Sequence, residues 1–77
     1  MPFRVHRSAM GNLPVYSDKR GGSRVVTVLR KYQGDADVLS KTIARLCESD
    51  VHRYHGRIEV KGKHTAVLKR WLSELGF

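Results

Sequence analysis

Cysteine is almost missing from this 77-residue sequence. Cys47 stands alone, so no internal disulfide can form and no cysteine-based zinc site can be assembled. Its place on an apolar helical stripe suits a buried small hydrophobe better than a reactive thiol. Acidic residues are scarce too, 7 against 15 Lys and Arg, which leaves a formal net charge of +8. That imbalance favours polyanionic partners, nucleic acid first. Aromatic residues number six and form no paired strand motif of the kind that stacks bases in single-strand RNA binders. Recognition of backbone and shape is therefore expected, rather than sequence-specific reading. No apolar run approaches the ~18 residues needed to cross a membrane.

Catalytic and metal-binding patterns are also wanting. His52 and His55 lie three apart across a strand and turn, with no further ligands to complete a site. Ser17 and Ser23 have no partner base, and the acids are scattered and mostly at helix ends. No enzyme activity, cofactor or small-molecule substrate is expected. A chain this short forms one domain. It buries only about 60% of the surface its unfolded form exposes, so its stability is marginal.

What is present is charge in a particular place. Asp18-Lys19-Arg20-Gly21-Gly22-Ser23-Arg24 lies between two strand-like runs. Glycines there permit a hairpin tip, and the tip brings three cations and bare backbone N–H groups toward phosphates. Arg30 and Lys31 carry the charge along the following strand, and Arg57 and Lys61 add to it from a later one. Lys63 opens the last helix, where free N–H groups also favour an anion. Arg4 and Arg7 sit in an acid-free segment, residues 1–11, that reads as a basic arm or a short targeting remnant. Net charge is +6 over residues 1–34, −2 over 35–50 and +4 over 51–77, so the first helix is excluded from the basic surface.

The elements follow from periodicity. Asn12–Tyr16 is a short strand confined to an edge by Pro14. Arg24–Tyr32 is β-branched and central. Asp35 caps a helix whose stripe is Leu39, Ile43, Leu46 and Cys47, ending near Ser49-Asp50. Val51–Tyr54 and Arg57–Lys61 are strands; in the second, Ile58 and Val60 point inward and three charges outward. A last helix, about Lys63 to Leu75, presents Val67, Leu68, Trp71, Leu72 and Leu75. Gly76 stops it and Phe77 folds back. The order β-β-α-β-β-α predicts an α+β two-layer sandwich: two helices on one face of a mainly antiparallel sheet, with Trp71 central to the core and residues 12–77 forming the domain.

Five pieces of this sequence, in order, carry a resemblance. They are Asn12-Leu13-Pro14-Val15-Tyr16; Gly22, Arg24 and Thr27; Arg30, Lys31, Gly34 and Asp35; Gly56, Ile58, Val60, Lys61 and Gly62; and Trp71, Leu72, Gly76 and Phe77. Together they resemble the mitochondrial large-subunit ribosomal protein forty-nine family, whose fold is similar to eukaryotic translation initiation factor one. The resemblance implies a structural part of the large subunit in the mitochondrial matrix, with rRNA and neighbouring ribosomal proteins as partners. It picks out Arg24, Arg30, Lys31 and Lys61 as matching the family pattern. Lys19, Arg20 and Arg4 fall outside that pattern and rest on charge alone. Two alternatives stay open: an initiation-factor-like protein that binds the small subunit transiently, and a protein-interaction module using the sheet edge at Asn12–Tyr16.

Overall fold

The computed structural model describes residues 2–77. In chain order they form β1 (Phe3–Val5), β2 (Val15–Lys19), β3 (Val25–Arg30), β4 (Tyr32–Gly34), α1 (Ala36–Cys47), β5 (Val51–Tyr54), β6 (Arg57–Lys61) and α2 (Thr65–Glu74). A four-stranded antiparallel sheet runs β2-β3-β6-β5, and β1 pairs antiparallel with β4 in a small second sheet. The fold is α+β, as expected, with two short strands added to the expected order.

Those additions have local causes. The β-branched run predicts one strand from Arg24 to Tyr32, but Lys31 takes a left-handed backbone at φ 53° and divides it. Beyond the break, Tyr32–Gly34 leaves the main sheet to pair with Phe3–Val5. Of the segment read as an arm, residues 3–5 are therefore a strand, and Phe3 and Val5 are buried in the core. Met1, the first residue of that arm, lies outside the described residues. β2 starts at Val15 rather than Asn12. Pro14 has no N–H for the ladder, and the Val15 N–H turns back to the Leu13 carbonyl at 2.8 Å.

Both helices lie over one face of the main sheet. Cross-strand register places Val15, Leu29 and Ile58 in one row and Thr27, Val60 and Val51 in the next. Leu39 and Ile43 of α1 and Leu68 and Leu72 of α2 cover these rows, all four fully buried. The alternating apolar spacing thus predicts the core, with three corrections. Trp71 is only half-buried and packs at the edge of the core, its ring 5.9 Å from that of Phe3. Leu46 and Val67 lie at the margins of their stripes and stay exposed.

The helix ends obey simple rules. Asp35 Oδ1 accepts from the N–H groups of Asp37 and Val38, both at 3.1 Å, and caps α1. Glu48 in the left-handed region ends α1 two residues before the expected stop. Past α2, the Phe77 N–H donates to the Leu72 carbonyl at 3.1 Å, and the Phe77 ring returns to within 6.0 Å of Phe3. α2 begins at Thr65, two residues later than expected, because the chain at Gly62 is held to Val25 and His64 is held to Thr27.

Candidate nucleic-acid interface

The second face of the sheet carries no helix. Register sets out three rows across it: Asp18, Val26 and Lys61; Tyr16, Val28, Glu59 and His52; and Arg30, Arg57 and Tyr54. The hairpin joining β2 to β3 overhangs one end. Its loop, Arg20 to Arg24, is closed by the Arg20 N–H donating to Arg24 O at 2.9 Å and the Arg24 N–H donating to Gly21 O at 3.1 Å. Gly21 and Gly22 both adopt positive φ, 63° and 52°, which accounts for the glycine pair. Asp18 and Lys19, read as part of the tip, belong to β2 itself.

The expected cations separate into two groups. Arg20 is engaged: Nη1 lies 2.6 Å from Asp18 Oδ2 and Nη2 lies 2.7 Å from Glu59 Oε2. These carboxylates raise the Arg20 pKa still further, and the hydrogen bond from Arg20 holds the Asp18 carboxyl below the usual carboxylate range. Arg57 is engaged as well. Its Nε lies 2.8 Å from the same Glu59 oxygen, off the line a hydrogen bond needs, so the contact is an ion pair without an aligned hydrogen bond. The Arg57 guanidinium also sits 4.7 Å from the centroid of the Tyr54 ring.

Arg24, Arg30 and Lys61 are exposed and make no ion pair among the described residues. Arg30 and Lys61 rise from β3 and β6 on the open face; Arg24 closes the tip near Lys61, while Arg30 stands at the far end of β3 opposite Arg57, about 20 Å along the strand. Lys19 and Lys31 are also exposed, but Lys19 borders a separate recess with Ser17 and Lys63, and Lys31 stands at the strand break. Arg4 pairs in register with Gln33 in the small sheet. Arg7 donates to Gly11 O at 2.6 Å, to Phe77 O at 3.1 Å and to Ser73 Oγ at 3.2 Å, which ties the arm to the end of α2. The expected cations therefore divide: Arg20, Arg24, Arg30, Arg57 and Lys61 are at the open face or its tip, and the others lie elsewhere.

Two residues, one on each face of the sheet, hold this region together and were not singled out by their spacing. Glu59 alternates outward as expected but is only 6% exposed, because Arg20 and Arg57 close over it. Thr27, fully buried, accepts from the His64 N–H at 2.7 Å and donates to Gly62 O at 2.8 Å. It thereby fixes the start of α2 against β3 and explains why a threonine occupies a position in the resembling pattern. A sequence signal for Glu59 does exist: it is the sole acid among the charges of β6.

Comparison with known proteins decides the family. A family model described as "Mitochondrial large subunit ribosomal protein (Img2)" matches residues 1–77. The chain belongs to that family. Among curated Img2-type relatives, the large ribosomal subunit protein mL49 of Schizosaccharomyces pombe is 32% identical over 97% of this chain and 77% of its own length. The mL49 protein of Neurospora crassa is 33% identical over 99% of this chain, which spans only 50% of that relative. The fold of this Img2 member thus places an open, cationic sheet face opposite its two helices.

Proposed function

We propose that this chain is a noncatalytic structural constituent of the mitochondrial large ribosomal subunit, resident in the matrix and seated on rRNA and neighbouring ribosomal proteins. The observation that carries this reading is family membership over the whole chain, joined to a cationic face left uncovered by the helices. The mechanism is charge neutralisation. Arg24, Arg30 and Lys61 contact rRNA phosphates directly, and Gly21 and Gly22 let the tip backbone approach closely. Arg20 and Arg57 support the face from within through Glu59. Lys19, Lys31, Lys63, Arg4 and Arg7 contribute to the surrounding positive field.

Binding of the purified chain to an rRNA duplex, measured across a salt series, tests this. Each phosphate neutralised contributes roughly 0.9 to the slope of log affinity against log salt. Replacing Arg24, Arg30 and Lys61 by alanine is expected to flatten that slope by about 3, one per lost contact. An affinity that ignores both salt and the triple replacement overturns the phosphate clamp. Retention on the large subunit through a high-salt wash tests the constituent role separately.

A further inference from the structure

Among the groups on the open face that do not themselves meet phosphate are the Glu59 carboxylate and the exposed ring of Tyr54. Both border a cleft of about 350 Å³ between the hairpin tip and the edge strand β5. Arg24, Val26, His52 and Lys61 line it with them. Its size falls within the range of small-ligand clefts, about 300–1,000 Å³.

Glu59 is more than nine-tenths buried. Its Oε2 takes both arginine contacts, and its Oε1 takes no hydrogen bond among the described residues. Oε1 is not itself sealed from solvent, so water can serve it at the cleft, and a ligand that displaces that water has to bring a donor to this acceptor-only group. Tyr54 at the rim is 48% exposed, and its contact with Arg57 holds the ring in place. The rim also carries the unpaired Arg24 and Lys61. Asp50 borders the cleft too, its carbonyl accepting from the Lys61 N–H at 3.0 Å, so one acid stands at the rim against the two cations Arg24 and Lys61.

An aromatic ring, a deep acceptor and cations at the rim suit one ligand class. We propose that this cleft holds a single unpaired nucleotide of RNA whose base bears an exocyclic amino group: adenine, cytosine or guanine. The base stacks on Tyr54, the amino group donates to Glu59 Oε1, and the phosphate meets Arg24 and Lys61. A paired base is stacked within its duplex, with its faces covered, and cannot enter. Uracil has no amino group, and its one pairing-edge donor, N3–H, is flanked by two carbonyl oxygens that the carboxylate repels. The inference rests on the RNA-binding reading but goes beyond it, because a phosphate clamp is indifferent to the base.

The test uses the full chain with labelled uridine octamers carrying one central A, C, G or U, alongside an RNA duplex, and reads fluorescence anisotropy at constant salt. Octamers with A, C or G are expected to bind about tenfold more tightly than all-uridine, within the range one good base contact provides. Tyr54→Leu is expected to erase that difference and leave duplex binding unchanged, whereas Tyr54→Phe keeps it. Equal affinity for the four octamers with duplex binding intact overturns the nucleotide cleft alone. A preference that survives Tyr54→Leu overturns its assignment to this cleft. Failure to bind octamers and duplex alike overturns the RNA-binding reading together with the cleft.

Discussion

Arg20 Nη2 lies 2.7 Å from Glu59 Oε2, joining the hairpin tip to the third strand of the main sheet across 39 residues of sequence. Arg57 reaches the same oxygen from two residues away. Glu59 is buried while both arginines remain partly in water, so the acid, not either cation, depends on the arrangement. Glu59→Gln keeps the shape and removes the charge. With the arginines still able to hydrate, the expected loss is about 1 kcal/mol. Urea unfolding reads it as a lower midpoint at unchanged slope. Arg24→Ala, at an exposed site without an ion pair, is expected to stay within about 0.5 kcal/mol.

Two glycines with positive φ separate steric from conformational need. At Gly34 (φ 98°) an added Cβ would lie 2.5 Å from Pro2 O and 2.9 Å from Phe3 Cα, both backbone atoms that cannot step aside. Gly34→Ala should cost about 2 kcal/mol or more and loosen β1 from β4. At Gly22 (φ 52°) nothing lies within 4 Å, so Gly22→Ala should cost only about 1 kcal/mol, the left-handed penalty by itself. Thermal unfolding of the two variants gives the comparison.

Removing one ring tests whether residues 3–5 are structural. Phe3 is 6% exposed and touches both Trp71 and Phe77. Phe3→Ala should destabilise the protein by about 3 kcal/mol. It should also shift Trp71 fluorescence to longer wavelength as water reaches the indole. An unchanged emission maximum would show that the arm does not pack on the core in solution.

Much of this was readable beforehand, and the failures have physical causes. Asp35 as a cap, Gly76 as a stop and the buried faces of both helices follow from local chemistry and periodicity, which act within a few residues. The Lys31 break was not readable, because nothing local asks a lysine to adopt positive φ; the pairing of Tyr32–Gly34 with Phe3–Val5 imposes it from a distance. Burial of Glu59 was missed for the same reason, since alternation says which way a side chain points but not what folds over it. On the open sheet face, counting cations could not tell Arg20 and Arg57, already paired, from Arg24, Arg30 and Lys61.

Burial raises the pKa of the Cys47 thiol. The unfolded thiol ionises at lower pH than the folded one, so its contribution to stability is complete below the unfolded pKa. It is lost as pH rises through the folded value. Stability should therefore fall on the alkaline side of the usual thiol range in the native protein and less so in Cys47→Ala. Below that range the native thiol should react with a disulfide reagent far more slowly than in urea.

The Phe3–Phe77 contact and the Arg7 bond to Phe77 O also set an order of events. When the polypeptide is made, or threaded through a pore, from its amino end, Phe77 arrives 74 residues after Phe3 (77 − 3). β1 can pair with β4 beforehand, but the cluster of Phe3 and Trp71 has no closing ring until then. The edge of the core at Phe3 and Trp71 is thus closed only by this late, long-range contact.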